Sequence, residues 1–158
     1  MNVFVLDENM AKSAEMLDDA HLIAQINEAT QILMANYNHE NYPDAKIGHI
    51  NHPVTVFYSE PITDYNDDKS VRAELVCYLE DLILEYSRRF GKVHQNWFWL
   101  CGFKYMYGTY PYINFHNAKT FVNGRMTDNI EEIRQHISTK PHKRELKWTN
   151  RERPVWWE

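Results

Sequence analysis

This sequence predicts a mainly α, compact single-domain fold with long aromatic-rich loops, and three observations lead there. Apolar residues recur at helical spacing along two long stretches, near residues 18–36 and 71–90. Helix-capping residues stand at the head of each stretch. The chain has 158 residues, 44% of them apolar and 14% aromatic, which suits one packed domain over 1–158 rather than disorder.

The elements follow in chain order. Val3-Phe4-Val5-Leu6 reads as a small strand or an extended, buried N-terminal segment. Asp7 or Asn9 can cap a first helix through about Leu17, and Asp18 or Asp19 a second to about Asn36. Residues 37–53, rich in Asn, His and Pro, predict a loop, and Pro53 disfavours a helical His52. Ser70 caps the clearest helix, Val71 to Phe90, and Gly91 sits where a left-handed C-terminal residue belongs. Residues 97–121 hold ten aromatics interrupted by Gly108 and Pro111, which predicts an irregular, partly helical connection. Thr127 or Asp128 can cap a last helix to about Ser138. A basic, aromatic segment over 134–158 then packs on the domain or extends from it.

Composition narrows the function. No segment approaches the roughly 20 apolar residues of a membrane span, and the start lacks the basic residues of a signal peptide. Cys77 and Cys101 form no CxxC pair, so a reducing, cytoplasmic setting is expected (the host's, if the protein is phage-encoded). The five glycines are scattered and build no phosphate-cradling loop, and GxSxG is absent. The eight histidines form no HExxH, and His49-x-x-His52 is a weak ligand pattern, so neither metal nor cofactor is expected. Net charge is −5, yet residues 134–153 carry seven Lys/Arg against Glu145 and Glu152, a net of +5. The remainder is therefore −10, an acidic body with a basic face suited to phosphates.

The chemistry-bearing feature is a polar stripe, His21, Gln25 and Glu28, at spacings of four and three on one helical face. Leu22, Ile26, Ala29 and Leu33 form a separate apolar row. Burying that row brings an imidazole and a carboxylate to the core boundary, where ionisable groups are costly unless paired or used. The stripe reads either as a structural hydrogen-bond cluster or as a carboxylate held for general acid/base and electrostatic work. Aromatics interleaved with Lys/Arg in 147–157 read as packing or as base stacking beside phosphate contacts.

The pattern Asp19-x-His21-Leu22-x-Ala24-x-x-x-Glu28 resembles a segment of the pyrimidine-dimer DNA glycosylases of the phage endonuclease V type. Met1 to Asp7, Asn51-His52-Pro53, Glu85 to His94 and Trp148-x-x-Arg151-x-x-Pro154-x-Trp156 resemble small phage and bacterial relatives of that family. The resemblance implies an all-helical fold that bends duplex DNA and extrudes a base. It implies a free α-amino group attacking the sugar C1′, with a carboxylate at Glu28 supporting glycosyl transfer and strand cleavage. Bulky Asn2 is expected to leave Met1 in place, so the amine falls to Met1. Val3, Asn27 and Gln31 stand where the family carries basic residues.

The leading expectation is a phage-type DNA-processing enzyme, glycosylase/lyase-like, acting at a pyrimidine through Glu28 with His21 and Met1. Gln25, Asn51, His52, Lys143, Arg144, Lys147, Arg151 and Arg153 are expected to contact DNA or a pyrimidine nucleotide, and Tyr110, Tyr112 and Trp148 to stack on bases. The alternatives are a DNA base hypermodification enzyme of the same fold, or a non-catalytic DNA- or protein-binding module without the amine nucleophile.

Overall fold

The computed structural model describes residues 1–59, 70–108 and 112–157. Among them the chain is mainly α. The first helix, α1 (Met10–Met16), is capped by Asn9, whose side chain accepts from the Lys12 N–H. Asp7 serves elsewhere, accepting from the Asn9 N–H at 2.9 Å. Asp18, not Asp19, caps α2 (Asp19–Asn41) by accepting from Ala20 and His21. Helix α2 outlasts its predicted end at Asn36 by more than a turn. The polar residues there close on themselves, Asn41 donating to the Tyr37 carbonyl at 2.8 Å.

The predicted 37–53 loop is correspondingly shorter. His52 is indeed non-helical, capping a short helix α3 (Pro53–Phe57) that has proline in its first turn. Helix α4 (Val71–Phe90) has the predicted bounds, with Ser70 accepting from the Ala73 N–H and Gly91 at φ 66°. The aromatic stretch is partly helical as expected, with Trp97–Tyr107 forming a regular helix, α5. After it, β1 (Thr120–Val122) and β2 (Arg125–Thr127) pair antiparallel. Asn123 and Gly124 turn between them with φ of 49° and 85°, both left-handed. Asn129 caps α6 (Ile130–Thr139), in place of Thr127 or Asp128.

Helices α1, α2 and α5 pack around α4. Leu22, Ile26, Ala29 and Leu33 of α2 are all buried, as are Leu75, Leu79, Leu82 and Ile83 of α4. Each fully buried Leu or Ile contributes about 1.5–3 kcal/mol. The C-terminal segment packs back on this body. The Lys147 carbonyl accepts from Asp19 N–H at 2.8 Å, Asn150 donates to the Arg89 carbonyl at 2.9 Å, and Trp157 is buried. Beneath it Glu85 is buried between Arg89 (2.7 Å) and both donors of Arg151 (2.8 Å each). Burial pushes the Glu85 carboxyl upward, but hydrogen bonds from Arg151 and Arg89 outweigh it and hold the pKa below the ordinary range.

The N-terminal segment is extended and buried rather than part of the sheet. Its backbone groups still need partners, and side chains supply them. Residues 2 to 6 donate their N–H groups in turn to Glu28, Asn2 Oδ1, Gln25, Thr120 and Ser13, at 2.8 to 3.0 Å. The carbonyls of Asn2, Val3, Phe4 and Leu6 accept from Gln25, Thr120, Tyr78 and Arg134 respectively. The segment is thus threaded between α2 and β1, with its first residues on the polar stripe.

Candidate active site

Helix α2 places Glu28 where the chain begins. The Met1 α-amino nitrogen lies 4.0 Å from Glu28 Oε1, and the Asn2 N–H donates to Oε2 at 2.8 Å. Gln25, one turn earlier, sets this register. Its Oε1 accepts from Phe4 N–H at 2.8 Å, while Nε2 donates to the Asn2 carbonyl at 3.1 Å and to Glu28 Oε2 at 3.3 Å. Expected to touch nucleic acid, Gln25 instead faces inward, 2% exposed, with both ends of its amide committed. The Asn2 side chain clamps the other flank, donating to the Phe121 carbonyl at 2.8 Å and accepting from its N–H at 2.9 Å. The Met1 side chain is buried, and Thr55 donates to its sulfur at 3.3 Å.

His21 is held from behind. Its Nδ1 pairs with the buried carboxylate of Asp18, the same residue that caps α2. Burial raises the Asp18 pKa, but the hydrogen bond and charge of His21 and the capped N–H groups outweigh that and lower it. The imidazole is packed edge-on by His142 at 5.4 Å and Phe4 at 6.2 Å, with Trp157 at 6.0 Å. His52 is electrostatically linked to the same centre. Its pKa is lowered by desolvation, then by the amino terminus and His49, with Glu28 opposing. Its ring lies 6.4 Å from Phe121.

Met1, His21 and Glu28 open together into a cleft of about 520 Å³. Its far wall holds Asn123, His136, Lys140 and Arg144. Of these only Arg144 was expected from sequence. His136 and Lys140 stand four apart at the end of α6, a spacing visible in the sequence, but only the packing of α6 against β1 turns them toward Glu28. The His136 pKa is lowered by desolvation and by Lys140, against Glu132. The cleft therefore sets a carboxylate and an amine opposite two flexible cations, an arrangement suited to an anionic ligand reacting at an electrophilic carbon.

The other expected residues are dispersed. Lys143 and Lys147 are exposed, and Lys147 lines a separate cleft with Asp18 and Asp19. Arg151 is engaged by Glu85 and by Glu15 at 3.5 Å. Arg153 donates to the Trp157 carbonyl at 3.0 Å and lies over the Trp148 ring. Trp148 is half-buried, donating its indole N–H to the Met16 carbonyl at 3.1 Å and packing on Trp157. Tyr112 is half-buried beside His116, Asn51 is exposed ahead of α3, and Tyr110 falls outside the described residues. Among the described residues no group of three His, Cys, Asp or Glu is placed to hold a metal ion, and no helix is long and apolar enough to cross a membrane.

Comparison with known families matches residues 1–98 to pyrimidine dimer DNA glycosylase. Comparison with curated proteins finds no match, nor does comparison with solved structures. The matched stretch is more than half the chain and runs from the amino terminus through α4, so it contains the Met1–Glu28 pairing and the Asp18–His21 contact. On that match the chain belongs to the pyrimidine dimer DNA glycosylase family.

Proposed function

We propose that this protein acts on DNA at a pyrimidine nucleotide as a glycosylase with lyase character, using the Met1 amine as nucleophile and Glu28 as its carboxylate partner. The observation that carries the reading is the 4.0 Å approach of the amino terminus to Glu28, on a segment whose position is fixed bond by bond. The neutral amine gives its lone pair to the sugar C1′, and the C1′–N1 bond breaks with its electrons going to the pyrimidine. Glu28 stabilises the positive charge that develops on the sugar, takes a proton from the attached nitrogen and passes it to O4′ as the C1′–O4′ bond breaks, opening the ring to an imine. Loss of a proton from C2′ then expels the 3′ phosphate. His21, oriented through Asp18, and the cations Lys140 and Arg144 hold the DNA backbone at the cleft mouth.

Borohydride trapping on duplex DNA carrying an abasic site or a cyclobutane dimer tests this. Wild type gives a covalent adduct, and acetylating the amino terminus abolishes it. Glu28→Gln binds DNA as wild type does but accumulates adduct at least ~100-fold more slowly, the loss expected when a positioned charge partner is removed. An absent wild-type adduct, or one that survives acetylation, overturns the amine mechanism.

A further inference from the structure

The face of α2 that carries Glu28 continues past it. Ala24, Glu28, Gln31, Ala35 and Asn38 recur at spacings of four and three, so they share one side of the helix over about 21 Å. Ala24 and Glu28 line the cleft that holds Met1. Gln31, Ala35 and Asn38 line a second cleft of about 660 Å³, bounded by the 42–49 loop and by Trp99 of α5. The two clefts therefore follow one another along α2. In the second, the rings of Tyr42 (58% exposed) and Trp99 (45% exposed) stand beside the amides of Gln31 and Asn38.

Positive charge is confined to the other side. From Asp19 to Ser59 the chain holds four carboxylates (Asp19, Glu28, Glu40 and Asp44) against one lysine, Lys46, a net of −3. Lys104 of α5 is tied to both Glu80 oxygens at 2.9 and 3.0 Å. Among the described residues, the lysines and arginines lining the two clefts are Lys46, Lys140 and Arg144, and the last two share the wall facing Glu28.

We infer that the substrate of this site is an unpaired DNA strand, with its phosphates along Lys140 and Arg144 and its bases running along α2 into the Tyr42–Trp99 cleft. This rests on the DNA-directed reading above, though not on its amine step. Duplex DNA carries one charge per ~1.7 Å, divided between two backbones. A duplex seated on Lys140 and Arg144 brings its second backbone against α2, which has no lysine or arginine and offers neutral Asn27 and Gln31 there. A single strand needs one cationic wall only. Its unpaired bases expose the faces on which Tyr and Trp stack whatever the sequence.

Fluorescence anisotropy on the whole chain tests this, with a lesion-free strand of about 12 nucleotides, twice what ~21 Å spans at ~3.4 Å per nucleotide. The same strand is measured alone and annealed to its complement. The single strand binds at least ~10-fold more tightly, with a slope of log affinity against log salt of about −2, as three phosphate contacts give. Trp99→Ala and Tyr42→Ala each weaken it at least ~5-fold, the loss of one stacked base, with circular dichroism unchanged. Should Trp99→Ala unfold, Tyr42→Ala decides alone, since its ring is mostly exposed. Equal or tighter duplex binding, a slope of about −5 or steeper, or a single strand indifferent to both variants overturns the inference. Borohydride trapping on the same strand with an abasic site separates the two readings. Single-strand binding without any adduct removes the amine mechanism and leaves this inference standing, whereas no binding to either form overturns both.

Discussion

Gln25→Leu probes the contact on which the candidate site depends. The substitution keeps approximate size but removes three hydrogen bonds, to Phe4 N–H, to the Asn2 carbonyl and to Glu28. The Phe4 amide is buried, so leaving it unpaired costs about 1–3 kcal/mol, and the half-buried Asn2 carbonyl adds toward the lower end of that range. A loss of about 2–4 kcal/mol is therefore expected in urea unfolding at pH 7. The catalytic effect follows from geometry. With Gln25 gone, the segment carrying the amine is held on its α2 side by Glu28 alone, and misplacement by about 1 Å costs on the order of 100-fold. Single-turnover borohydride trapping reads that rate, while DNA affinity stays at the wild-type value because Gln25 is inward. A variant that loses under ~0.5 kcal/mol and traps DNA at the wild-type rate refutes the positioning role. One whose affinity falls as much as its rate means that Gln25 meets DNA after all.

Other perturbations separate structural charges from functional ones. Arg144→Ala lowers the salt slope of DNA binding by about one, whereas Arg151→Ala leaves it unchanged because Arg151 is engaged by Glu85. Arg151→Ala instead destabilises by about 2–3 kcal/mol at pH 7, less than a fully buried pair because Arg151 is partly exposed. Glu85 has a lowered pKa in the folded state, so its contribution is present above the unfolded carboxylate value and disappears as pH falls through the folded one. Urea titrations at neutral and at acid pH therefore show the Arg151→Ala penalty shrinking below about pH 4. Asp81 has the opposite sign, pushed up to about 6 by desolvation and by Glu80, against Arg88. Asp81→Asn stabilises the fold above pH 6 by about 1 kcal/mol after allowance for solvent screening, seen as a higher thermal midpoint. The gain fades as pH falls from 6 toward 4, and a pH-independent difference contradicts the assignment. Gly102→Ala raises stability by about 0.8–1 kcal/mol in thermal melts, since nothing occupies the space its methyl enters.

How much of this was legible follows from where each signal resides. Helix α4 declared itself through a serine cap, an unbroken apolar period and a left-handed glycine, all local properties. The last turn of α2 did not, because Tyr37 to Asn41 has loop composition and is closed by side-chain hydrogen bonds. Pro53 was read only for what it forbids at His52, although the same ring pre-forms the first turn of α3. Asn123-Gly124 between two short β-prone runs was a hairpin signal that the surrounding aromatics obscured. Partial helix was expected across 97–121, but the bounds of α5 were hidden because it is apolar almost all round and Asn96 makes no side-chain cap bond. In the site, one-face spacing joined His21, Gln25 and Glu28, but periodicity does not say which member points inward. The far wall, His136 and Lys140, shows only a shared helical spacing in the sequence, and its place opposite Glu28 depends on the tertiary packing of α6.

The segment from Asn2 to Leu6 acts as a ruler. Its amides are matched to side chains on α2, on β1 and on α1, beginning at Glu28 and ending at Ser13, with the Val3 amide held by Asn2 of the segment itself. An extended chain advances about 3.4 Å per residue, so inserting or deleting one residue here carries the amine nearly its whole present distance from the carboxylate. It also turns every side chain of the run to the opposite face. Beyond Asn2, whose side chain clamps Phe121, residue identities along the segment can drift within the limits of burial, but its length cannot.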